Sequence, residues 1–144
     1  FESYGLPVIP DSLPDWPGPL AGILSCLDWL AQSHCECDLL LSCATDAPFI
    51  PSDLAFRLLQ ARTAENATLA QARSSGRRHP VFGLWPVSIR QDLRTALIED
   101  GLRKIDDFTD RFSLAIADFA GHPDPFSNVN QPEDIAAVEA YFDN

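Results

Sequence analysis

The sequence has no methionine, little positive charge and no long apolar run. The low positive charge and the short apolar runs each argue against one class of partner. Among its 144 residues, 10 Lys and Arg stand against 21 Asp and Glu, which gives a formal net charge of −11. A surface this acidic repels a phosphate backbone, so we expect no nucleic-acid partner. No apolar segment approaches the ~18–20 residues that a membrane-spanning helix needs, so we expect no membrane partner either.

The chain begins at Phe1 and also lacks the basic start and apolar stretch of a signal peptide. These features favour a cytoplasmic protein whose sequence begins in the middle of a domain. The spacing of the four cysteines matches neither a zinc knuckle nor a disulfide framework, so we expect them to be reduced. They are Cys26, Cys35, Cys37 and Cys43, and the segment His34-Cys35-Glu36-Cys37 could alternatively hold a soft metal.

The apolar pattern predicts helices that alternate with strands. Helical spacing is found over 20–31, after Pro51, over 88–97 and 104–109, and from Pro132 onward. Strand-like segments cover 39–43, 67–72, 81–87 and 113–119, with a further short strand at 6–9. This alternation indicates an α/β fold with a mostly parallel sheet, and the length fits a single domain over 1–144.

In open α/β sheets, ligands bind beyond the carboxyl ends of the strands, which points to the loop carrying Asp46 directly after strand 39–43. A carboxylate there suits a hard cation such as Mg²⁺, although a simple turn aspartate has the same appearance. Gly18 and Gly22 belong to a segment that enters a helix and could approach an anion, but Pro-Gly turns are common there. Asn128 and Asn130, two residues apart, could point to the same side of an extended segment or serve as turn and cap residues.

His79 stands beside Arg77 and Arg78 in the sequence. This group could meet an anion, and solvated turn residues are the commoner outcome of such a pattern. The sequence contains no P-loop and no HExxH helix.

Six segments, in this order, resemble one family, the molybdenum cofactor guanylyltransferases. They are 8–13, 17–22, 46–51, 79–86, Arg103-Lys104 and 126–134. The resemblance covers about Gly5 to Phe142. It implies a Rossmann-like three-layer nucleotidyltransferase fold and the transfer of GMP from GTP to molybdopterin with release of pyrophosphate.

The resemblance also implies roles for individual residues. The GTP-binding residues would be Asp11, Gly18, Gly22 and Asp46, with Asp46 also the catalytic residue and the ligand of Mg²⁺. On the molybdopterin side it implies Arg103, Asn128 and Asn130. Molybdenum-insertion and molybdoenzyme-maturation proteins would be further partners.

The family's first strand and its Leu-Ala-Gly-Gly phosphate loop have no counterpart in this sequence. We therefore expect an N-terminally incomplete domain that is inactive alone and active as an enzyme when complete. Two alternatives stay open. One is a cytidylyltransferase for the same cofactor, and the other is a truncated, non-catalytic module that binds the pterin or a partner.

Overall fold

A computed structural model describes residues 4–13, 18–33, 36–131, 135, 138, 139 and 141. Within these residues the chain forms four α-helices and four strands. The helices are α1 (Pro19–Gln32), α2 (Leu54–Ala64), α3 (Arg90–Ile98) and α4 (Ile105–Thr109). The strands are β1 (Leu39–Ser42), β2 (Leu69–Ser74), β3 (Arg77–Pro86) and β4 (Leu114–Phe119). No helix of the described part is long and apolar enough to cross a membrane.

The four strands form one sheet in the order β1-β3-β2-β4. β2 and β4 pair in parallel, whereas β3 pairs antiparallel with both β1 and β2. Three strands therefore share one direction, as predicted, but two of the three pairings are antiparallel. The reason is the turn at Ser75 and Gly76, which have φ angles of 49° and 76°. Positive φ at both turn residues is typical of a two-residue hairpin, which can join only antiparallel strands.

Helices cover both faces of the sheet, so the predicted three-layer α/β fold is confirmed. One apolar cluster packs α1, α3 and α4 against one face, and a second packs α2 against the other. Residues of β2 alternate between the two clusters: Leu69 belongs to the first, and Ala70 and Ala72 belong to the second. This is the period of two that an extended strand imposes on its side chains.

β1 shows the same alternation, since Leu40 packs on the first cluster and Leu41 on the second. Its residues are nevertheless only half-buried, because β1 lies at the edge of the described sheet and pairs with β3 alone. Buried Trp85 donates its indole N–H to Ser42 Oγ at 2.8 Å, which links β3 to the carboxyl end of β1.

Three local predictions differ from the structure. The segment 6–9 forms no strand, and Leu6 and Val8 are 61% and 62% exposed; Pro7 next to them has no amide proton to donate to a sheet. The helix predicted over 88–97 begins at Arg90 instead, because a 3₁₀ turn over Val87–Ile89 leads into α3 without a side-chain cap.

The third difference concerns the cysteines. Cys26 and Cys43 are free, but Cys37 is in a disulfide bond, so the expectation of four reduced cysteines is wrong for Cys37. The helix predicted from Pro132 begins outside the described residues, although Ile135 and Val138 within it are helical.

Candidate functional site

The strand directions bring three chain segments to one edge of the sheet, which we call the carboxyl edge. β1, β2 and β4 end there, and β3 begins there because it runs the opposite way. The segments are the loop after β1, the β2–β3 hairpin and the loop after β4. Ligands of open α/β sheets bind beyond the strand ends, and two cavities open at this edge.

The larger cavity, about 640 Å³, is called here the asparagine cavity. Its polar lining comes from the hairpin and from the loop after β4: Ser74, Ser75, Arg77, Arg78, His79, Asp124, Ser127, Asn128 and Asn130. Of the two arrangements that the sequence left open for Asn128 and Asn130, the structure shows the one in which both point to the same side. Both are exposed, and both face this cavity, as residues two apart on an extended segment do.

The smaller cavity, about 370 Å³, is called the aspartate cavity. It is lined by Thr45, Asp46, Pro48, Val129, Ile135 and Val138. Val129 thus faces one cavity while its two asparagine neighbours face the other. The Val129 N–H donates to the Asp46 carbonyl at 2.8 Å, so a backbone hydrogen bond joins the two predicted halves of the site.

The Asp46 side chain is half-buried and makes no hydrogen bond or ion pair within the described residues. No group of three or more potential metal-ligating His, Cys, Asp or Glu side chains occurs among those residues either. Mg²⁺ is usually held by one or two carboxylates together with substrate phosphates and water. A lone, unpartnered carboxylate in a cavity fits that donor set, provided that a phosphorylated substrate supplies the remaining ligands.

Asp124 is the second carboxylate of the carboxyl edge, and it is surrounded by donors. Ser74 Oγ lies 2.8 Å from both carboxylate oxygens, Ser75 Oγ lies 3.2 Å from Oδ2, and the Phe126 N–H donates to Oδ1 at 3.0 Å. Partial burial favours the neutral acid, but these hydrogen bonds together outweigh it and lower the pKa of Asp124. Asp124 is therefore ionised at neutral pH.

His79 completes this cluster, with Nε2 at 2.7 Å from Ser74 Oγ. Burial lowers the pKa of His79; the nearby Asp124 charge opposes this effect and the Arg77 charge adds to it. The ring packs against Phe126 at a centroid distance of 4.8 Å. His79 is thus a positioned member of the cavity wall and not a solvated turn residue.

The two arginines beside His79 differ in their partners. Arg78 pairs with Asp106 and with Asp110, each at 3.2 Å. Arg77 also lines the asparagine cavity, but within the described part of the chain no carboxylate lies at ion-pair distance from it. Its charge is therefore available to an anion that enters the cavity.

The remaining predicted site residues line neither cavity. Gly18 is the N-cap of α1, with a φ of 125° that side-chain-bearing residues rarely adopt. Gly22 is already inside α1 and not in a loop, and open space surrounds the position of a Cβ at either glycine. Asp11 is exposed and contributes, after burial, to raising the pKa of Cys26 on α1. Arg103 is exposed between α3 and α4.

Ser74 and Asp124 were not singled out from the sequence. Ser74 is only 2% exposed, and its partner is 50 positions further along the chain. The signal available was the one used for Asp46: a carboxylate in the loop directly after a strand, here β4. The local sequence Pro123-Asp124-Pro125 carries no other indication.

Comparisons with known proteins agree on one family. Residues 1–112 match the family described as the MobA-like NTP transferase domain. The chain is 49% identical over 140 residues to the molybdenum cofactor guanylyltransferase of Rhodopseudomonas palustris (strain BisB5), and equally identical to that of Nitrobacter hamburgensis. Each alignment covers 96% of this chain and 67% of the relative, so the chain spans about two thirds of their length.

Solved structures show the same fold at low sequence identity. Molybdopterin-guanine dinucleotide biosynthesis protein A from Archaeoglobus fulgidus superimposes with a TM-score of 0.69 at 20% identity, over 91% of this chain and 66% of that one. A protein from Aquifex aeolicus VF5 gives a TM-score of 0.71 at 14% identity, over 91% and 65% of the two chains.

Proposed function

The chain belongs to the family of MobA-like NTP transferases, and from that membership we propose that the complete protein transfers GMP from GTP to molybdenum-molybdopterin. The observation that carries this proposal is the 49% identity to molybdenum cofactor guanylyltransferases across 96% of the chain. The products are the guanine dinucleotide form of the cofactor and pyrophosphate. We further propose that the reaction takes place in the cytoplasm and that molybdenum-insertion and molybdoenzyme-maturation proteins are partners.

In this reaction an oxygen of the molybdopterin phosphate attacks the α-phosphorus of GTP. The new P–O bond forms as the bond between the α-phosphorus and the oxygen that bridges to the β-phosphate breaks, and pyrophosphate leaves with that electron pair. Catalysis of such a step rests on positioning the two substrates and balancing their negative charge. We assign the acceptor to the asparagine cavity and the nucleotide to the side of Asp46, Asp11, Gly18 and Gly22.

On the acceptor side, Asn128 and Asn130 offer amide donors and acceptors to the polar edge of a pterin. Arg77, without a carboxylate partner in the described residues, is suited to an acceptor phosphate. We place Arg103 on the same side as a further basic residue. The hydrogen bond from the Val129 N–H to the Asp46 carbonyl then fixes the acceptor side against the donor side.

On the donor side, the Asp46 carboxylate would hold Mg²⁺ together with phosphate oxygens of the nucleotide. The metal would balance the charge that develops on the α-phosphate and on the leaving pyrophosphate. Asp46 lines its cavity with an unpartnered carboxylate, which supports this assignment.

The proposal is tested by supplying the complete protein with molybdopterin, Mg²⁺ and either GTP or CTP, and by measuring pyrophosphate and the dinucleotide product. We expect product from GTP and none from CTP. Transfer from CTP alone would make the protein a cytidylyltransferase. Transfer from neither nucleotide, with molybdopterin still bound, would make it a non-catalytic pterin-binding module.

A further inference from the structure

We propose that Asp124 is a positioning residue for the acceptor: as a carboxylate it fastens the segment carrying Asn128 and Asn130 to the end of β2. The inference rests on the proposed function, because it concerns the same cavity. It begins from an asymmetry in the segment after β4. Asn128 makes no hydrogen bond within the described residues, whereas Asp124, four positions earlier, accepts from three donors.

The segment needs such an attachment, because residues 120–130 form no helix or strand. One backbone hydrogen bond attaches it to another part of the fold, because the Val129 N–H donates to the Asp46 carbonyl. The Ser127 N–H donates to the Asp124 carbonyl at 3.1 Å, which closes a turn inside the segment. Buried Phe126 packs against Phe82 at a centroid distance of 4.6 Å. The Asp124 side chain adds hydrogen bonds from Ser74 and Ser75 of the β2–β3 hairpin.

The direction of the hydrogen bonds follows from counting protons. Ser74 has one hydroxyl proton, and a carboxylate only accepts, so Ser74 donates to Asp124. Ser74 Oγ must then accept from His79, which requires the proton on Nε2. His79 therefore cannot remove the Ser74 proton, and the trio is not the nucleophile-base-acid arrangement of a hydrolase. It is a chain of donors that ends on Asp124.

These hydrogen bonds connect three elements of the fold at one carboxylate. His79 comes from β3, Ser74 from the buried end of β2, and Asp124 from the loop after β4. An asparagine at position 124 has the same shape but replaces one acceptor oxygen by an NH₂ group. It would lose the Ser75 bond or present a donor to the Ser74 hydroxyl, and the segment would no longer have one favoured position.

The test compares Asp124→Asn with Asp118→Asn in the complete protein. Asp118 lies in β4, and its carboxylate also accepts a hydrogen bond from a charged donor, Arg73, at 2.5 Å. It lines neither cavity. We expect Asp124→Asn to raise the KM for molybdopterin about tenfold, as the loss of a hydrogen bond to a charged group does, and to leave the KM for GTP unchanged. Asp118→Asn should alter neither value. A molybdopterin KM unaffected by Asp124→Asn overturns the inference.

A double-mutant cycle with Ser74→Ala separates positioning from general damage to the fold. If Asp124 acts through Ser74, the double variant should raise the KM no further than Asp124→Asn alone. Additive effects of the two substitutions would contradict the inference. Ser74→Ala also supplies the measurement if Asp124→Asn fails to fold, since it removes the same donor without changing the charge.

Amide hydrogen exchange of Val129 provides a readout that needs no activity. Its N–H donates to Asp46, so a loosened segment should exchange this proton about tenfold faster in Asp124→Asn and at the wild-type rate in Asp118→Asn. Unchanged exchange in Asp124→Asn overturns the positioning role whatever the enzyme does. A wild-type protein that transfers no nucleotide overturns the proposed function instead, so the two failures are distinguishable.

Discussion

The loops after β1 and after β4 each bring one aspartate to the carboxyl edge, and the two carboxylates differ in what surrounds them. Asp46 has no hydrogen-bond or ion-pair partner within the described residues, whereas Asp124 accepts from two serine hydroxyls and a backbone amide. An unpartnered carboxylate adds little to the stability of a fold and remains available to a ligand. A carboxylate with all these donors contributes stability and has little capacity left for a substrate. The comparison therefore separates a candidate binding group from a candidate positioning group.

The largest effect is expected at the unpartnered carboxylate. Asp46→Asn should lower GMP transfer by about a hundredfold or more, because the metal that we assign to Asp46 is worth several kcal/mol in the reaction. The free energy of unfolding should stay unchanged, because no partner of the side chain is lost. Steady-state transfer assays and urea unfolding of the same preparation measure both quantities.

Asp53→Asn is the matched control for this substitution. Asp53 is an exposed aspartate that precedes α2 and lies 3.9 Å from Arg57, outside both cavities. Its replacement should leave transfer intact. If Asp46→Asn also transfers GMP at the wild-type rate, Asp46 is only a turn residue, and the contrast between the two loops has no catalytic meaning.

The sequence was sufficient to predict the parts of this edge that depend on short-range pattern. The periods of apolar residues gave β1, β4 and α1 within one or two residues, and the spacing of Asn128 and Asn130 allowed the arrangement in which both face one side. Asp46 could be found because it directly follows a strand. The roles assigned to all of these site residues stay predictions, including those of Asp11, Gly18, Gly22 and Arg103, which line neither cavity.

The sequence pattern did not predict the features that depend on contacts between residues far apart in the chain. The strand predicted over 81–87 runs over 77–86, and its residues alone do not indicate whether it pairs parallel or antiparallel with β1, which is distant in the chain. The Asp124 cluster joins residues up to 50 positions apart, and neither partner has a local signature. Such a cluster becomes visible only when β2 and β4 are known to be neighbours.

A smaller effect should distinguish the two arginines of the asparagine cavity. Arg77→Gln should raise the KM for molybdopterin about fivefold, since an exposed charge pair is worth at most about 1 kcal/mol. Arg78→Gln should leave this KM unchanged, because Arg78 is already paired with Asp106 and Asp110. The Arg77 effect should also shrink as salt is added. Equal effects of the two substitutions would mean that the cavity responds to net charge and not to the unpaired guanidinium.

The smallest effect concerns the dependence of stability on pH, which His79 should dominate near neutrality. Burial lowers the pKa of folded His79, with the Asp124 charge opposing and the Arg77 charge adding to the shift. Between the folded pKa and the unfolded value of ~6.5, the unfolded chain binds more protons, so stability rises with pH. This contribution is present in full above ~6.5 and is lost as the pH falls through the window below it.

His79→Gln should remove this slope while keeping an N–H donor for Ser74, and urea unfolding at pH values of about 7.5 and 5.5, on either side of ~6.5, measures it. His122→Gln is the control, because His122 is exposed and lines neither cavity. A slope that survives in His79→Gln would show that protonation near neutrality acts elsewhere. A slope lost only in His79→Gln would mean that burial of the neutral His79 ring in the cavity wall makes the fold more stable at neutral pH than in mild acid.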